Sequence, residues 1–523
     1  MKRKSGILNI LRHFVKGITS RFFILSFLLL SQLIGISILP MFVPNEYTIL
    51  IYIIAWVMNI ICCVYISYSP ASEAYKIGWM SMIIIFQTSG FIFYLLFANK
   101  RTTKRQIETI LPYSKNIIKF SAENDCLDEL KELDYDAYTQ CQYIHTKGHN
   151  SVYKNTEVTY YKIGQEVWQP MLDELNKAKK FIFLEYFIIE PGKFWNSILE
   201  ILKVKAAEGV DVRLIYDDFG CMTKLKYGYD KYLKGLGIKV QVFNRYLPFV
   251  NIKMNNRDHR KICVIDGNVG FSGGLNLADE YVNKVQRFGV WKDNAFRLVG
   301  EGVYGLTLLF LSNWGNITKT SENFFLYSYE NNQLPEGSFK SSGYVQPFGD
   351  IPYDYESIGK NVYLNLFYKA NKYLYIATPY LIIEETTRSA LKQAAQSGVD
   401  VRIVVPSIPD KKAVYEVTQS FFKDLLIHGV KIYKYTPGFI HDKTILVDDK
   451  FAAVGTINMD LRSMYLHFEN STLMYNVDAI KDIKEDFDQI FDDSTQYTLL
   501  DYKKVNLFRK FSWIILRLFS PLF

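Results

Sequence analysis

One chemical signature occurs twice in this chain, and its two copies lie 182 residues apart. Each copy has a lysine two residues and an aspartate seven residues after a histidine. A pair of small residues begins 14 positions after each histidine, and an asparagine follows after 17. A duplication that keeps all these positions in register predicts a chain built from two similar halves. The first copy comprises His259, Lys261, Asp266, Gly273-Gly274 and Asn276, and the second comprises His441, Lys443, Asp448, Gly455-Thr456 and Asn458.

The spacing within each motif suits a β-strand. Alternate residues of an extended strand face the same side, so the histidine and lysine of each motif are expected to point into one cleft. The residues between them, Arg260 and Asp442, are expected to point away from it. Apolar residues follow each lysine, at 262–265 and 444–447, and predict buried strands that end in turns at the motif aspartates. The small pairs downstream are expected to let the backbone approach a ligand, because glycine has no Cβ.

After residue 150 the chain alternates predicted strands and helices, and the same order occurs in both halves. The five residues at 209–213 recur unchanged at 398–402. Strands that alternate with helices of this length predict βαβ units and an α/β fold. The repeat is too long for a solenoid, so we expect one duplicated domain with two pseudo-twofold sandwich halves, 151–330 and 331–502. The predicted strand, helix and strand are 181–189, 194–207 and 210–216 in the first half, and 373–383, 386–396 and 399–405 in the second.

The apolar residues are concentrated at the start of the chain. Three mostly apolar segments, 22–43, 47–67 and 77–98, each have roughly the 20 residues that a helix needs to cross a bilayer. The first is too long for a signal peptide, and two more follow it. The alternative, buried core helices, would leave three nearly uncharged helices without a polar face. We therefore expect an N-terminal membrane region over 1–105 and a multi-pass membrane protein.

The side of the membrane on which the C-terminal part lies is ambiguous. Cationic residues flank the apolar region at both ends, and cationic flanks favour the cytoplasm. Three crossings would put the two flanks on opposite sides, so either one segment is re-entrant or interfacial, or the rule fails here. We favour a cytoplasmic C-terminal part. The flanking residues are Lys2, Arg3, Lys4, Arg12, Lys16 and Arg21 before the first segment, and Lys100, Arg101, Lys104 and Arg105 after the third.

The net charge of +8 suits an anionic membrane surface, near which each cation gains on the order of 1 kcal/mol. A nucleic acid is the other partner that a basic chain suggests, but the apolar segments favour lipid.

A helix over 503–523, basic on one face and apolar on the other, is expected to lie in the membrane interface; a helix packed on the domain is the alternative. The polar residues at 106–150 predict a linker with some helix. The six cysteines form no C-x-x-C and are interpreted as reduced thiols.

The doubled set of histidines and lysines suits phosphodiester exchange. One histidine can attack phosphorus and form a phospho-histidine, while the other protonates the leaving alcohol and then deprotonates the incoming one. Lys261 and Lys443 can hold the non-bridging oxygens, with Asn276 and Asn458 as neutral donors. The motif aspartates complete the catalytic signature, and we expect them to secure the strand turn and the lysine. No His, Cys or Asp cluster has metal-ligand spacing, so the sequence indicates neither a metal nor a cofactor.

The repeated H-x-K-x4-D motif resembles that of the phospholipase D superfamily, in which each half of a pseudo-twofold enzyme contributes one copy. In that superfamily an acidic residue downstream of each motif orients a histidine, and the resemblance assigns this role to Asp293 and Glu469. The residues leave the two histidines interchangeable, and the resemblance favours His259 as nucleophile and His441 as general acid. The histidines outside the motifs, which are assigned no catalytic role, are His13, His145, His149, His428 and His467.

Within the superfamily the chain is most similar to the bacterial cardiolipin synthase family, and the similarity extends along its whole length. Residues 76–79 and 94–97 resemble the family's second membrane segment. Many relatives have two membrane segments, and the segment 22–43 is additional to these. The resemblance implies an enzyme of the bacterial cell membrane that joins two phosphatidylglycerols into cardiolipin and releases glycerol. The similar stretches are 256–261, 273–276, 279–281, 291–293, 378–380, 438–443, 455–463 and 518–522.

Other functions fit parts of the pattern. A hydrolytic phospholipase D would use the same motifs with water as acceptor and give phosphatidic acid, but the membrane segments favour transfer. A variant synthase would use phosphatidylethanolamine as donor. A membrane-anchored nuclease would bind DNA in a salt-dependent way, and we expect no nucleic-acid partner. A catalytically inactive lipid-binding scaffold is disfavoured by the intact motifs in both halves. The sequence leaves the oligomeric state open.

Overall fold

The computed structural model describes residues 21–69, 73–98, 117, 125–245, 256–335, 337–353, 356–518 and 520. His13 and all the flanking cations except Arg21 lie outside these residues. The described chain divides into two units. One takes in the residues before 102 and after 507, and the other takes in those between.

Three apolar helices begin the first unit: α1 (Arg21–Phe42), α2 (Asn45–Tyr68) and α3 (Glu73–Phe97). Pro44 lies just before α2, where its missing N–H leaves no helical hydrogen bond unmade. Most apolar side chains of α2 are exposed. Among the described residues two helices are long and apolar enough to cross a membrane, α2 and Tyr75–Leu96. The helix α1 has 22 residues.

The helix α3 is not straight. Gln87 has φ 42° and ψ −117°, outside the helical region, and divides the helix into two arms. The arms fold back on each other, because the rings of Trp79 and Tyr94 lie 5.3 Å apart, whereas 15 residues of straight helix would separate them by about 22 Å. Gly90 packs against the carbonyl group of Met82 so closely that a Cβ would overlap it. The third predicted spanning segment is therefore a helical hairpin.

The second unit begins with α4 (Asp125–Leu133) and α5 (Tyr135–Gly148). Asp134 caps α5 by accepting hydrogen bonds from two of its first backbone N–H groups. Ile144 is fully buried, and the side chain of Gln140 donates to the carbonyl oxygen of Val362 at 3.3 Å. From residue 125 onwards, the segment predicted as a linker is thus part of the folded second unit.

The first half of this unit contains a seven-stranded sheet, whose order is β1-β9-β7-β6-β2-β3-β4 with the bounds given below. The last three strands in this order are parallel and the others are antiparallel. The elements are β1 (Thr156–Tyr161), α6 (Gly164–Lys177), β2 (Phe181–Tyr186), α7 (Lys193–Ala207), β3 (Asp211–Asp217), α8 (Asp218–Cys221), α9 (Tyr229–Gly235), β4 (Lys239–Phe243), β5 (Arg257–Asp258), β6 (Lys261–Ile265), β7 (Val269–Gly273), β8 (Val290–Lys292), β9 (Ala295–Gly300) and α10 (Val303–Thr318).

The second half repeats this arrangement in the order β10-β17-β16-β15-β11-β12-β13-β18. Six strands match the first half in order and direction, from β17 to β13 here and from β9 to β4 there. The elements are β10 (Tyr344–Asp350), α11 (Ile358–Lys369), β11 (Tyr373–Ala377), α12 (Glu385–Gln396), β12 (Asp400–Pro406), α13 (Lys412–Ser420), α14 (Phe422–Ile427), β13 (Lys431–Tyr435), β14 (Gly438–Ile440), β15 (Thr444–Val447), β16 (Phe451–Gly455), α15 (Leu461–Tyr465), β17 (His467–Tyr475), α16 (Ala479–Asp492), β18 (Ser494–Tyr497) and α17 (Leu499–Lys504).

The two halves share one hydrophobic core. The first 13 residues of α10 are all buried, as expected for a helix that is apolar on every side. Phe310 of α10 stacks on Phe183 of β2 with ring centres 4.7 Å apart. Leu446 and Phe487 of the second half belong to the same buried cluster. The halves therefore fold as one body, which fixes the two motifs relative to each other.

The last helix, α18 (Leu507–Leu518), belongs mainly to the first unit. Val505 is extended and separates α18 from α17, so Lys503 lies in the preceding helix. The predicted helix over 503–523 is therefore shorter at its start, and residues 519 and 521–523 lie outside the described part of the chain. Leu507 and Phe508 are 81% and 82% exposed.

Candidate active site

Two short strand pairs join the halves just before the motif histidines. The strand β5 pairs with β17, and β14 pairs with β8. The N–H of His259 then donates to the carbonyl oxygen of Phe468 at 2.8 Å, and the N–H of His441 donates to that of Lys292 at 2.7 Å. Each histidine is therefore fixed on the backbone of the opposite half.

The acid that holds each histidine also comes from the opposite half. Nδ1 of His259 lies 2.9 Å from Oε2 of Glu469, and Nδ1 of His441 lies 2.5 Å from Oδ2 of Asp293. An ionised carboxylate only accepts hydrogen bonds, so each neutral ring donates Nδ1–H and keeps Nε2 unprotonated. A neutral imidazole with a free Nε2 is the form that can attack phosphorus or take up a proton.

The motif lysines are buried beside their histidines. Lys261 is 0% and Lys443 is 1% exposed. Each ammonium group donates to the carbonyl oxygen of the histidine two residues earlier, at 2.7 Å for Lys261. Burial lowers the pKa of Lys261 to about 7 and that of Lys443 to about 8, although nearby carboxylates oppose the shift. A phosphate anion in the cleft would favour the charged form of both lysines.

The titratable groups of the two motifs act on one another. Burial lowers the pKa of His259 and of His441 well below the usual value for histidine, and the charges of both motif lysines lower it further. His441 itself contributes to lowering the pKa of His259. Burial raises the pKa of Glu469 to about 7 and that of Asp293 to about 6. The two motifs therefore form a single electrostatic site.

Rings surround both histidines. The ring centre of Phe187 lies 5.2 Å and that of His467 lies 5.9 Å from the ring of His259. Tyr281 and Trp291 lie 5.6 and 5.3 Å from the ring of the other motif histidine. Such walls limit the access of water to the reacting atoms. Sequence reasoning missed this layer, because its members come from four separate segments of the chain.

Comparison with known proteins gives this geometry a family. The family model "Cardiolipin synthase, PLD-like domain" matches residues 171–295 and 363–491, once in each half. A cardiolipin synthase of Halalkalibacterium halodurans is 36% identical over 447 residues, which cover 85% of this chain and 88% of that protein. The chain belongs to the cardiolipin synthase family. Cardiolipin synthase 2 of Bacillus anthracis is likewise 36% identical, over 85% of this chain and 86% of that protein.

Two further relatives extend the comparison. An uncharacterised protein of Streptococcus mutans is 44% identical over 448 residues, which cover 85% of this chain and 96% of that protein. The crystal structure of phosphatidylserine synthase from Haemophilus influenzae matches 74% of this chain and 100% of its own, with a TM-score of 0.55 and 15% identity. This likeness concerns the fold alone. The predicted duplicated α/β fold of the phospholipase D type is confirmed, and membership of the family makes the chain an enzyme.

The two asparagines expected to bind phosphate have different surroundings. Asn276 accepts a hydrogen bond from the N–H of Ile188 at 3.0 Å and donates to the hydroxyl of Tyr281 at 2.8 Å. Both the oxygen and the nitrogen of its side-chain amide therefore already have hydrogen-bond partners within the first half. The buried Oδ1 of Asn458 has no hydrogen-bond partner among the described residues. Phosphate binding by either asparagine stays a prediction.

The motif aspartates lie away from the cleft. Asp266 accepts hydrogen bonds from the backbone N–H groups of residues 179–181, and Asp448 accepts them from 371–373. Each aspartate lies five residues beyond its lysine along a strand, about 16 Å away at the usual rise. They hold the turn after one strand to the start of the next, and the expectation that they also secure the lysines is wrong.

The residues between histidine and lysine point away from the cleft into the interface between the halves. Nε of Arg260 donates to the carbonyl oxygen of Glu469 at 3.2 Å. Asp442 accepts from Nζ of Lys292 at 3.1 Å, and the same ammonium group lies 2.8 Å from Asp486. These contacts support the segments that carry the two orienting acids. The strand alternation predicted the direction of these side chains but not their partners, which belong to the other half.

The small pairs approach the neighbouring strands. A Cβ at Gly274 would overlap the carboxylate of Asp293, and one at Gly455 would overlap the carbonyl oxygen of Asn470. The missing side chains therefore let the acid-bearing segments pack close to the motif strands. That these glycines also let the backbone approach a ligand stays a prediction.

All six cysteines are free thiols. Within the described part of the chain no group of three or more His, Cys, Asp and Glu side chains is arranged to hold a metal ion.

Proposed function

We propose that this protein is a membrane-bound cardiolipin synthase, which transfers a phosphatidyl group from one phosphatidylglycerol to another and releases glycerol. The observation that carries the proposal is the paired arrangement of His259 and His441, each held at Nδ1 by an acid of the other half. Two buried lysines complete the set of groups that a phosphoryl transfer without a metal needs. The relatives named cardiolipin synthase support this choice of reaction.

In the first half-reaction, Nε2 of His259 attacks the phosphorus of phosphatidylglycerol, and the bond from phosphorus to the glycerol oxygen breaks. His441 donates its Nε2 proton to that oxygen, so glycerol leaves as a neutral alcohol and the phosphatidyl group stays on His259. Lys261 and Lys443 neutralise the non-bridging oxygens. The bound phosphate raises the pKa of His441, which burial alone depresses, and so favours the protonated form.

In the second half-reaction, a hydroxyl of the second phosphatidylglycerol attacks the same phosphorus. His441 takes up the hydroxyl proton, the bond from phosphorus to His259 breaks, and cardiolipin leaves. Glu469 and Asp293 keep the rings in one orientation and stabilise positive charge on them. Both histidines then return to their starting states. The choice of His259 as nucleophile follows the resemblance to the phospholipase D superfamily.

We place this enzyme in the bacterial cell membrane. The helix α2 has the length and hydropathy of a membrane span, and both substrates are lipids. The exposed apolar residues Phe508 and Ile514 of α18 suit the membrane interface. Arg509, Lys510 and Arg517 in the same helix add positive charge, which favours an anionic lipid surface.

The test is an analysis of the products formed from pure phosphatidylglycerol by the purified full-length protein. We expect cardiolipin and glycerol in equal amounts on thin-layer separation. Phosphatidic acid in place of cardiolipin would identify a hydrolytic phospholipase D. Salt-dependent cleavage of DNA without lipid turnover would identify a nuclease instead.

The same assay in excess EDTA tests the independence from metal ions. We expect cardiolipin formation to continue when the presentation of the lipid is held constant. A loss that only one specific metal restores would contradict the mechanism, whereas an equal response to any cation would reflect lipid packing. A mixture of phosphatidylethanolamine and phosphatidylglycerol shows whether the first lipid also serves as donor, because ethanolamine is then released.

A further inference from the structure

The two sides of the cleft differ at positions that match by sequence. Arg462 lies four residues after the second motif asparagine, where the first half has Glu280. His467 lies two residues before the second orienting acid, where the first half has Trp291. His467 therefore lies beside His259 where Trp291 lies beside His441, and Arg462 has the opposite charge to Glu280 at the matching position. This difference in charge breaks the twofold symmetry of the site.

Arg462 and His467 form a set of donors without a carboxylate in direct contact among the described residues. The charge of Asp460 acts on Arg462, but its Oδ1 accepts hydrogen bonds from the backbone N–H groups of Arg462 and Ser463. Nε of Arg462 lies 3.5 Å from Nε2 of His467. A guanidinium group only donates, so Nε2 accepts and the ring proton lies on Nδ1. This Nδ1 is buried and has no hydrogen-bond partner in the described part of the chain. Among the same residues no carboxylate oxygen lies within 4.0 Å of the Arg462 guanidinium.

A cation that no carboxylate contacts and an N–H without an acceptor are both satisfied by an anion. The set is next to the reacting groups, because the ring of His467 lies 5.9 Å from that of His259. The reaction brings two phosphates to this region. The phosphate that reacts is held by the motif lysines, and the phosphate of the acceptor lipid lies one glycerol unit away.

We propose, on the basis of the proposed function, that Arg462 binds the phosphate of the acceptor phosphatidylglycerol. His467 positions the guanidinium group of Arg462 for this contact. Arg462 is then a specificity-determining residue for the second half-reaction. The glycerol unit is flexible, so the acceptor hydroxyl can reach His441 while its phosphate stays on Arg462. Binding a second phospholipid in this way favours transfer to lipid over transfer to water.

The test compares two acceptors with one purified enzyme. Phosphatidylglycerol as acceptor gives cardiolipin, whereas labelled glycerol, which has no phosphate, gives phosphatidylglycerol with a labelled headgroup. Arg462→Gln keeps a donor of similar length but removes the charge. We expect cardiolipin formation to fall about tenfold or more, with a raised KM for phosphatidylglycerol, while glycerol exchange changes less than about threefold. Arg462→Lys should restore part of the loss.

Arg402→Gln is the matched control, because Arg402 is paired with Asp400 at 2.7 Å on the strand β12. It should change neither reaction. Inorganic phosphate added to the wild type should inhibit cardiolipin formation but not glycerol exchange, and Arg462→Gln should lose this inhibition. If inorganic phosphate inhibits both reactions equally, the site binds free phosphate rather than the acceptor headgroup, and the proposal fails.

Two results for Arg462→Gln would overturn the acceptor site. Equal losses in both reactions would mean that the arginine supports the fold or the histidines, and no loss in either would mean that it binds no substrate. Failure of the proposed function itself is distinguishable, because then the wild type would make no cardiolipin in the same assay.

A second inference comes from the break in α3. The arms at 73–86 and 88–97 have lengths of about 21 and 15 Å, and each is shorter than the hydrocarbon core of about 30 Å. The N–H of Ser89 at the break donates to Oε1 of Gln32 in α1 at 2.8 Å, and its hydroxyl donates to the carbonyl oxygen of Leu28 at 2.9 Å. A helix α1 that supplies partners to this backbone is what a break inside a membrane requires.

A cavity of about 350 Å³ lies beside the break. Four uncharged polar residues in its wall provide partners for water, which non-helical backbone at membrane depth needs. We propose that α1 and α2 cross the bilayer and that α3 is a re-entrant hairpin, which enters and leaves on one side. The four residues are Gln32, Asn59, Gln87 and Thr88.

Two crossings place the cationic residues before α1 and after α3 on the same side of the membrane. The tendency of cationic flanks to stay in the cytoplasm is then obeyed at both ends. The conflict that three crossings would create disappears, and the chain after α3 continues on the cytoplasmic side.

Labelling of single cysteines tests this topology in a cysteine-free variant that remains active. Ser5→Cys and Thr102→Cys probe the two flanks, and Asn45→Cys probes the start of α2, next to the loop at 43–44 that joins it to α1. With a membrane-impermeant maleimide on intact spheroplasts, we expect label on Asn45→Cys alone, and label on the other two only after permeabilisation. Label on Thr102→Cys but not on Ser5→Cys in sealed cells would show three crossings and overturn the hairpin topology.

Discussion

The two halves of the second unit share their strand order and their motifs but differ in what surrounds each histidine. His467 lies beside His259 where Trp291 lies beside His441, and Arg462 takes the place in the second half that Glu280 has in the first. Asn276 is satisfied within its own half, whereas Asn458 keeps a buried oxygen without a partner among the described residues. The comparison teaches that the shared chemistry needs the motifs twice, while the substrates, which are not symmetric, need two different surroundings.

The same comparison shows that neither half is complete. His259 is held by Glu469 and His441 by Asp293, so each half provides the acid for the other. The buried Arg260 and Lys292 cross the interface as well. The active site therefore forms at the interface between the halves. A substitution of the acid in one half should alter the orientation and the charge of the histidine in the other half.

The largest effect is expected from breaking the part that the halves share. His259→Ala and His441→Ala should each lower cardiolipin formation by several orders of magnitude, because members of one catalytic set fail together. The melting temperature should stay near that of the wild type, since both side chains line a cleft. Initial rates and thermal melts measure the two properties. Near-normal turnover by His441→Ala would exclude the two-histidine mechanism.

The exchange of acids between the halves predicts the next effect. Glu469→Gln and Asp293→Asn should each lower turnover by about a hundredfold, because the neutral amide no longer stabilises a charged ring. The protein should remain folded, as near-ultraviolet circular dichroism can show. A change below about threefold in either variant would mean that the acid does not orient the histidine of the other half.

The motif lysines of the two halves predict how kcat/KM depends on pH. The pKa of Lys261 is lowered to about 7 and that of Lys443 to about 8, from 10.5. The charged forms bind phosphate, so kcat/KM should fall as the pH rises through this range, since it reports the free enzyme. Lys443→Arg, if active, should keep its charge and extend activity to higher pH. A kcat/KM that stays constant well above pH 8 would contradict these shifts.

The smallest effect on turnover is expected from the motif aspartates, which have the same structural role in both halves and no role in catalysis. Asp266→Asn and Asp448→Asn should each lower the free energy of unfolding by about 1–2 kcal/mol, because an amide satisfies the three backbone N–H groups less well. Turnover per folded molecule should stay within about twofold of the wild type. Chemical denaturation and active-enzyme titration separate the two quantities. A loss of turnover without a loss of stability would place these aspartates in the catalytic set after all.

Much of the fold could be predicted because local pattern determines it. The repeated motifs and the alternation of strands and helices predict the duplicated α/β unit, and the helix predicted at 194–207 is observed as Lys193–Ala207. The strand predicted at 373–383 ends at Ala377, because the residues beyond it leave the sheet and Leu381 forms an isolated bridge with Met459 instead. Element type follows from periodicity, whereas element ends depend on tertiary contacts.

The site was less predictable, because its partners are distant in sequence. Nothing local indicates that Glu469 holds His259 rather than His441, since that pairing arises from two short strand pairs between the halves. The turn at Gln87 is equally hidden, because a broken apolar helix and a continuous one have the same hydropathy. His467 lies outside the motif, and its place two residues before an orienting acid is the only local sign of its position beside His259.

The covalent intermediate tests the central claim most directly, that one shared site acts through a phosphatidyl-histidine with unequal roles for the halves. His441→Asn should retain the nucleophile but lack the base for the acceptor hydroxyl. Mixed with labelled phosphatidylglycerol and mapped by mass spectrometry, it should accumulate label on His259, and His259→Asn should accumulate none. Label on His441 in the His259→Asn variant would reverse the roles, and absence of any adduct in both variants and in the wild type would contradict a covalent mechanism.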